Sequence, residues 1–383
     1  MTNLKNFPGL LANERFLSLD VFRGLTICFM IIVNSPGWGA PHYAPLDHAE
    51  WFGFTPTDLV FPSFLFAVGN ALSFSKTKYS SQPAFLAKVF KRTLIIFLLG
   101  YLMYWFPFFH RTAEGNWAFN PISHTRILGV LQRIALCYCI AALLTHYLRT
   151  KWIIFVAAFL LLGYWALLYL FGGPGEQLTM LGNAGTKLDV LLMGEDHLYH
   201  GNGGVPFDPE GILSTLPAVV NVIGGYLAGT FIQRKGKNFE TIALLLLTAA
   251  VMIFVALFWG QFFPIGKKLW TSTFVLLTVG LDLVLLSLLL YVVEIKQWKR
   301  GTGFFLVLGK NPLAIYLLSE LLLTCFFLIM VQPGINFYQW VNQAFFQAVF
   351  PGPFGSLAFA VCYMLLCWLV GYWLNKRRIY IKI

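Results

Sequence analysis

Polar and ionisable side chains cluster around the first long apolar segment of the chain. Asp20 and Arg23 lie near its start, Asn34 lies at its end, and His48 and Asp58 follow in a stretch without Lys or Arg. Ionisable groups inside a membrane are costly and usually functional. A neutral imidazole accepts a proton near pH 7, and an amide can hold a substrate or an oxyanion. The pattern predicts an active site at one membrane face, with His48 as base and Asn34 as amide donor.

Several of these residues have two open interpretations. Asp58 either orients the His48 imidazole or caps the second apolar segment, because it precedes Leu-Val-Phe. Asp20 and Arg23 are three residues apart and share a helix face, so they either lock that helix to a neighbour or contact a ligand near the opposite membrane face. Trp51 flanks His48 and is a candidate contact for the substrate.

A second polar group lies further along the chain. Arg126 and Arg133 are seven residues apart and are predicted to share a face of the fourth apolar segment, with Gln132 beside them. A buried guanidinium needs an anion or carbonyl groups. The partner is either a carboxylate such as Glu210 or Asp58, or a bound phosphate or amide-bearing ligand. Glu210 itself either complements a helix dipole or holds a substrate ammonium.

Two further motifs are weaker indications of a binding site. His197 and His200 lie near acidic residues, but no third ligand follows with helical spacing, so we predict no metal. The run Lys310-Asn311-Pro312 interrupts an apolar segment near the predicted inner face. Backbone amides and a lysine at such a break are suited to binding phosphates.

The elements that must position these residues are membrane helices. The chain has 383 residues, of which 58% are hydrophobic and 11% charged, with a mean hydropathy of +0.71; soluble domains carry about 25% charged residues. We predict one all-α membrane domain over residues 1–383, with a break at Pro312 and residues 336–350 lying in the interface. Spans of roughly 20 apolar residues are predicted near 17–35, 58–75, 93–109, 126–147, 152–171, 212–232, 240–260, 271–293, 304–331 and 355–374.

The distribution of basic residues predicts the orientation. Nineteen Lys and Arg residues fall in segments predicted to be cytoplasmic, against four in outer segments, namely Arg111, Lys187, Lys267 and Lys268. This is a positive-inside pattern with both termini in the cytoplasm. The net charge of +11 therefore reports topology and not nucleic-acid binding. A basic inner face attracts anionic lipid and an anionic cytosolic cofactor.

The cysteines and the first apolar segment also indicate a membrane protein. All six cysteines fall within apolar segments, so neither a disulfide framework nor a metal cluster is predicted. The first segment has no small-residue cleavage site and is expected to be a retained anchor.

Ordered motifs connect these residues to a known family. The chain closely resembles the heparan-α-glucosaminide N-acetyltransferase family, the lysosomal enzymes and their bacterial homologues. The matching stretches are Leu19-Asp20-Val-Phe-Arg23-Gly24, Val33-Asn34, His48-Ala-Glu-Trp51, Asp58-Leu-Val-Phe-Pro62, Ile127-Leu-Gly-Val-Leu-Gln132-Arg133, Gly194-Glu-Asp-His197-Leu-Tyr and Phe207-Asp-Pro-Glu210-Gly211-Ile-Leu.

The resemblance implies transfer of the acetyl group of cytosolic acetyl-CoA to the amine of a terminal glucosamine across the membrane. It places the essential histidine at His48 and the active-site asparagine at Asn34. The chain differs from the lysosomal members in lacking a substantial N-terminal luminal domain, which suggests a bacterial form in the inner membrane with the site open to the periplasm. Its loop between Asn34 and His48 is also slightly longer, and both differences leave the acceptor open.

The combined interpretation assigns roles to individual residues. His48 is base or transient acetyl carrier, and Asp58 orients it. The residues expected to contact acetyl-CoA are Arg23, Gln132, Arg133, Lys310 and Asn311. Those expected on the acceptor side are Trp51, Arg126, His197 and Glu210. The expected partners are acetyl-CoA, an amino-sugar acceptor, membrane lipid and a second copy of the chain, without metal or nucleic acid. The alternatives are an O-acyltransferase that decorates an envelope glycan, and a transporter.

Overall fold

Apolar helices dominate the structure. The computed structural model describes residues 16–74, 81–112, 116–201 and 203–381. Within these ranges, seven helices are long and apolar enough to cross a membrane, or eight if the bent pair at residue 311 is one span. The chain is therefore a multi-pass membrane protein.

Each predicted span contains a helix. The helices are α1 (Leu17–Asn34), α2 (Val60–Ser73), α3 (Gln82–Trp105), α4 (Val130–Tyr147), α5 (Thr150–Phe171), α7 (Thr215–Lys235), α8 (Phe239–Trp259), α9 (Ser272–Leu289), α10 (Thr302–Lys310) with α11 (Pro312–Leu328), and α14 (Pro353–Lys376). The full count of ten spans stays a prediction, as does the orientation. Helix α2 has only 14 residues, fewer than the roughly 20 that cross a bilayer, and α3 carries Lys88, Lys91 and Arg92 in its first half.

The predicted break at Pro312 is confirmed. Helices α10 and α11 meet at an angle of 81°, and Asn311 between them leaves the helical conformation. Proline cannot donate the hydrogen bond that would continue the first helix. Helix α9 also changes character at its end, continuing as a π-helix over Leu290–Ile295.

Smaller elements were not predicted. Two antiparallel hairpins pair β1 (Phe109–Arg111) with β2 (Trp117–Phe119) and β3 (Met330–Gln332) with β4 (Ile335–Asn336). Helix α6 (Ala184–Met193) lies between α5 and α7, while α12 (Phe337–Val341) and α13 (Gln347–Val349) lie in the segment expected at the interface.

Close helix crossings form the core around α2 and α7. A Cβ atom on Gly69 would lie 1.9 Å from the Val222 carbonyl oxygen, and one on Gly225 would lie 1.9 Å from the Phe66 carbonyl oxygen. Only glycine permits backbones to approach this closely, as at many membrane-helix interfaces. This crossing holds α2, whose start adjoins the candidate site, against α7.

Candidate active site

His48 and Asp58 form the centre of the site. His48 Nδ1 lies 2.8 Å from Asp58 Oδ1. Asp58 is fully buried in a 3₁₀ turn at Pro56–Leu59, and its Oδ2 accepts hydrogen bonds from the backbone N–H groups of Ala49 (3.3 Å) and Thr55 (3.0 Å). The two interpretations of Asp58 therefore both apply, since it caps the turn before α2 and binds the imidazole. Because a carboxylate only accepts, Nδ1 carries the proton and Nε2 presents its lone pair.

Lys267 completes this centre and was not singled out from the sequence. Its Nζ lies 3.0 Å from Nδ1 and 3.1 Å from Nε2 of His48, and 3.7 Å from Asp58 Oδ1. The side chain of Lys267 is 17% exposed and that of His48 is 45% exposed. The loop that carries Lys267 is joined to the His48 loop by a hydrogen bond from Gly53 N–H to the Ile265 carbonyl, at 2.8 Å.

The charges of this centre stabilise one another. Burial alone would raise the pKa of Asp58, but the hydrogen bond from His48, the Lys267 ammonium and the Thr55 N–H together lower it. Burial lowers the pKa of Lys267 to about 8, although the carboxylates of Asp58 and Glu210 partly oppose that shift. The site therefore holds an ionised carboxylate beside an amine that deprotonates more readily than an ordinary lysine.

Arg126 ties two loops together next to this centre. Its guanidinium binds both carboxylate oxygens of Asp208, at 2.9 and 2.6 Å, and Oε2 of Glu210 at 2.5 Å. The same group lies over the rings of Tyr104 and Tyr199. Burial alone would raise the pKa of Glu210, but Arg126, Arg133 and Lys267 lower it. A bidentate, stacked arginine of this kind fixes geometry as well as charge.

The structure corrects two predictions about this group. Helix α4 begins at Val130, after Gly129 in extended conformation, so Arg126 precedes the helix and shares no helical face with Arg133. Gly129 itself packs tightly, since a Cβ at this position would meet the Tyr104 ring at 2.2 Å. Glu210 is likewise not in the first turn of a helix, because α7 begins only at Thr215.

Arg133 and Gln132 are completely buried. Arg133 donates to the Gly211 carbonyl at 3.0 Å and to the Ser214 hydroxyl, and it lies over the Trp270 ring. Its partners are thus a carbonyl and a hydroxyl instead of the carboxylates considered from the sequence. Among the described residues, Arg133 Nε and Nη1 and both amide atoms of Gln132 have no hydrogen-bond partner. Such unpaired buried groups are unusual and suit a ligand that carries amides.

Trp51 and His197 lie on loops at the same end of the helices as His48. Trp51 Nε1 donates to the Leu178 carbonyl at 2.9 Å, and its ring packs against Phe207. Trp51 also lines a cavity of 620 Å³ together with Glu50 and residues 177–180. His197 Nδ1 lies 2.7 Å from the Thr125 carbonyl oxygen, so it joins the segment between α5 and α7 to the segment before α4.

Asn34 lies at the end of α1, with its amide donating to Glu320 Oε1 at 3.3 Å. Glu320, on α11, was not singled out from the sequence. A lone carboxylate within an apolar segment was the signal available for it. The structure therefore brings His48, Asp58 and Lys267 together beside Arg126 and its two carboxylate partners. The side chain of Asn34 instead contacts Glu320.

The remaining candidates lie at the opposite end of the helices. Asp20 and Arg23, which share a face of α1, form an ion pair with each other, and both residues line a cavity of 260 Å³ with Asn70. Lys310 Nζ donates to Asn375 Oδ1 at 2.9 Å, and Asn311 binds the backbone of Ile379 and Ile381. Those contacts attach the C-terminal segment to the helix break. Within the described ranges, no group of three His, Cys, Asp or Glu residues is arranged to hold a metal.

Comparison with known proteins agrees with the motifs. Residues 15–191 match the model of the heparan-alpha-glucosaminide N-acetyltransferase catalytic region. The human heparan-alpha-glucosaminide N-acetyltransferase is 26% identical over 362 residues, covering 80% of this chain and 53% of that protein. The mouse protein of the same name is 27% identical over 366 residues, covering 81% and 54%. The chain spans about half the length of these relatives. The resemblance that the sequence motifs indicate is thus confirmed, since residues 15–191, with His48 and Asp58 among them, are similar to the catalytic region of heparan-α-glucosaminide N-acetyltransferases.

Proposed function

We propose that this chain is a transmembrane acetyltransferase. It moves the acetyl group of cytosolic acetyl-CoA to the amine of a glucosamine-type sugar at the outer face of a bacterial inner membrane. The observation that carries the proposal is the His48–Asp58 pair, with its 2.8 Å contact, inside the region matched to the acetyltransferase family.

His48 would act at Nε2. A sugar ammonium must lose its proton before nitrogen can attack the thioester, and Nε2 accepts that proton while Asp58 stabilises the resulting imidazolium. The carbon–nitrogen bond then forms, the carbon–sulfur bond breaks, and CoA leaves as its thiol. The same nitrogen also suits a transient acetyl-histidine, and both routes are open.

Charge that develops on the thioester oxygen needs donors. Lys267 supplies a cation within 3.1 Å of the base, and the amide of Asn34 is the donor that the resemblance implies. A preorganised donor in a water-poor site contributes about 10²–10³-fold to such reactions.

The acceptor would enter from the side of the 620 Å³ cavity beside Trp51. Its lining includes Glu50, and Glu210 acts electrostatically on Lys267, so carboxylates surround the path of a cationic amine. Arg126 and His197 would shape this side indirectly, since each holds an outer loop in place.

Acetyl-CoA, the acetyl donor, would enter from the end of the helices opposite to His48. Arg23 and Asn70 line the inner cavity, and both amide atoms of the buried Asn70 have no partner among the described residues. Deeper in the bundle, Gln132 and Arg133 present unpaired polar atoms that fit the amides of a pantetheine arm. Lys310 and Asn311 would contribute to the basic inner face that attracts the nucleotide.

Purified protein in liposomes tests the proposal. Incubation with acetyl-CoA and glucosamine should release CoA thiol, whereas N-acetylglucosamine should not support release. His48→Ala should reduce the rate by about 10²–10⁴-fold. His42→Ala is the matched control, because His42 pairs with the exposed Asp47 in the same loop. Transfer only to hydroxyl acceptors would indicate the O-acyltransferase, and sugar uptake without CoA release would indicate a transporter.

A further inference from the structure

The ammonium of Lys267 lies within hydrogen-bond distance of the proposed base. Nζ is 3.0 Å and 3.1 Å from the two ring nitrogens of His48, a separation at which a base can accept a proton. Asp58 lies beside it at 3.7 Å. Because Nζ is nearly equidistant from the two ring nitrogens, a small shift toward Nε2 aligns a primary amine of the protein with the lone pair of the base.

We propose that Lys267 is itself acetylated from acetyl-CoA at the His48 site when no acceptor amine is bound. The inference rests on the proposed function, because it needs the thioester to reach His48. It adds a modification site and a form of control by acceptor supply.

The step is ordinary amine acylation. The neutral amine attacks the thioester carbon, the carbon–nitrogen bond forms and the carbon–sulfur bond breaks. The proton lost from Nζ passes to Nε2 of His48, which delivers it to the leaving sulfur, so that CoA departs as its thiol and His48 is again neutral. The pKa of Lys267 is about 8: burial lowers it and the neighbouring Lys268 lowers it slightly, while Asp58 and Glu210 raise it. A substantial fraction of Lys267 is thus neutral at mildly alkaline pH.

Acetylation would change the site in two ways. It removes the cation beside His48 and leaves a neutral amide in its place, and the added group fills space next to Nε2. Turnover should therefore stop. An acceptor ammonium competes for the same position and should protect Lys267 by displacing it.

Mass spectrometry of peptides tests this directly. Wild-type protein is incubated with acetyl-CoA alone, with acetyl-CoA and glucosamine, and in the His48→Ala form with acetyl-CoA alone. We expect one acetyl group on Lys267, assigned by fragmentation against Lys268, with strong suppression by glucosamine. Labelling of His48→Ala should be slower by about 10²-fold or more. Exposed Lys187 measures uncatalysed acetylation, which should be equal in all samples.

The outcomes separate the two proposals. Transfer to glucosamine without labelling of Lys267 would overturn this inference and leave the proposed function standing. Equal labelling of Lys267 and Lys187, or unchanged labelling in His48→Ala, would also overturn it. Absence of both transfer and labelling would overturn the proposed function, and this inference with it.

Lys267→Arg provides a second measurement. A guanidinium keeps the charge but is not acylated under these conditions, because it stays protonated. Relative to its own starting rate, the variant should keep its activity during incubation with acetyl-CoA alone, whereas wild type should decline in step with the acetylated fraction. Equal decline of both proteins would contradict the inference.

Discussion

Replacing Asp58 by asparagine should disable the base while leaving the fold largely intact. The carboxylate of Asp58 contacts His48 through Oδ1 and accepts two backbone N–H groups through Oδ2. Asparagine has one acceptor oxygen and one amide nitrogen that only donates. The substitution must therefore place that nitrogen against one of the two sets of donors.

The structure indicates which placement is favoured. An amide nitrogen at Oδ2 would leave the N–H groups of both Ala49 and Thr55 unpaired, at about 1–3 kcal/mol each. At Oδ1 it faces Nδ1 of His48, which can adjust by changing tautomer, and the more distant Lys267 ammonium at 3.7 Å. Nδ1 then accepts, and Nε2 carries the proton and can no longer take one from the substrate. We expect kcat to fall by about 10²–10⁴-fold, equivalent to about 3–5 kcal/mol in the barrier.

Release of CoA thiol at saturating acetyl-CoA and glucosamine measures this effect. The free energy of unfolding, measured by thermal melting, should fall by less than about 3 kcal/mol, because only one charge-assisted hydrogen bond is lost. Asp47→Asn is the matched control, since Asp47 pairs with His42 in the same loop at 3.2 Å but is 53% exposed. An Asp58→Asn rate above one tenth of wild type would refute the assigned tautomer, and so would an equal loss in Asp47→Asn.

Three further outcomes are expected. Arg126→Lys loses the bidentate contact with Asp208 and should lower the free energy of unfolding by up to about 3–5 kcal/mol. Thermal melting measures this effect, and an unchanged Tm would contradict the role of Arg126 in holding the two loops together. Asp189, whose pKa burial raises to about 7, should destabilise the fold when ionised, by at most about 4 kcal/mol. The stabilising effect of Asp189→Asn should thus be largest above pH 7 and vanish as pH falls towards 4, and a pH-independent Tm difference would contradict this. Finally, an impermeant thiol reagent should label Tyr43→Cys but not Trp298→Cys in intact cells, over the wild-type background; the reverse result would overturn the predicted orientation.

Local patterns predicted the centre of the site, because its first two members lie in one short segment. His48 and Asp58 are only ten residues apart in the sequence, so a short loop is enough to bring their side chains into contact. The break at Pro312 was predictable for the same reason, since the proline acts on its own backbone.

Contacts between distant segments were not predictable in this way. Lys267 lies 219 residues from His48 in sequence, and the sequence showed it only as one of few basic residues in outer loops. Glu320 was a lone carboxylate within an apolar run. The prediction that Arg126 shares a helix face with Arg133 was wrong because apolar spacing does not show where a helix starts, and α4 starts only at Val130.

The site also extends beyond the region that resembles the family model. That region ends at residue 191, whereas Asp208 and Glu210 precede α7 and Lys267 lies between α8 and α9. The hydrogen bond from Gly53 to Ile265 and the ion pairs of Arg126 join the two parts. Because these contacts set the charge around His48, residues 15–191 carry the proposed base and its carboxylate but not the cation beside them. The unit that holds the complete charge cluster must therefore include the chain at least through Lys267.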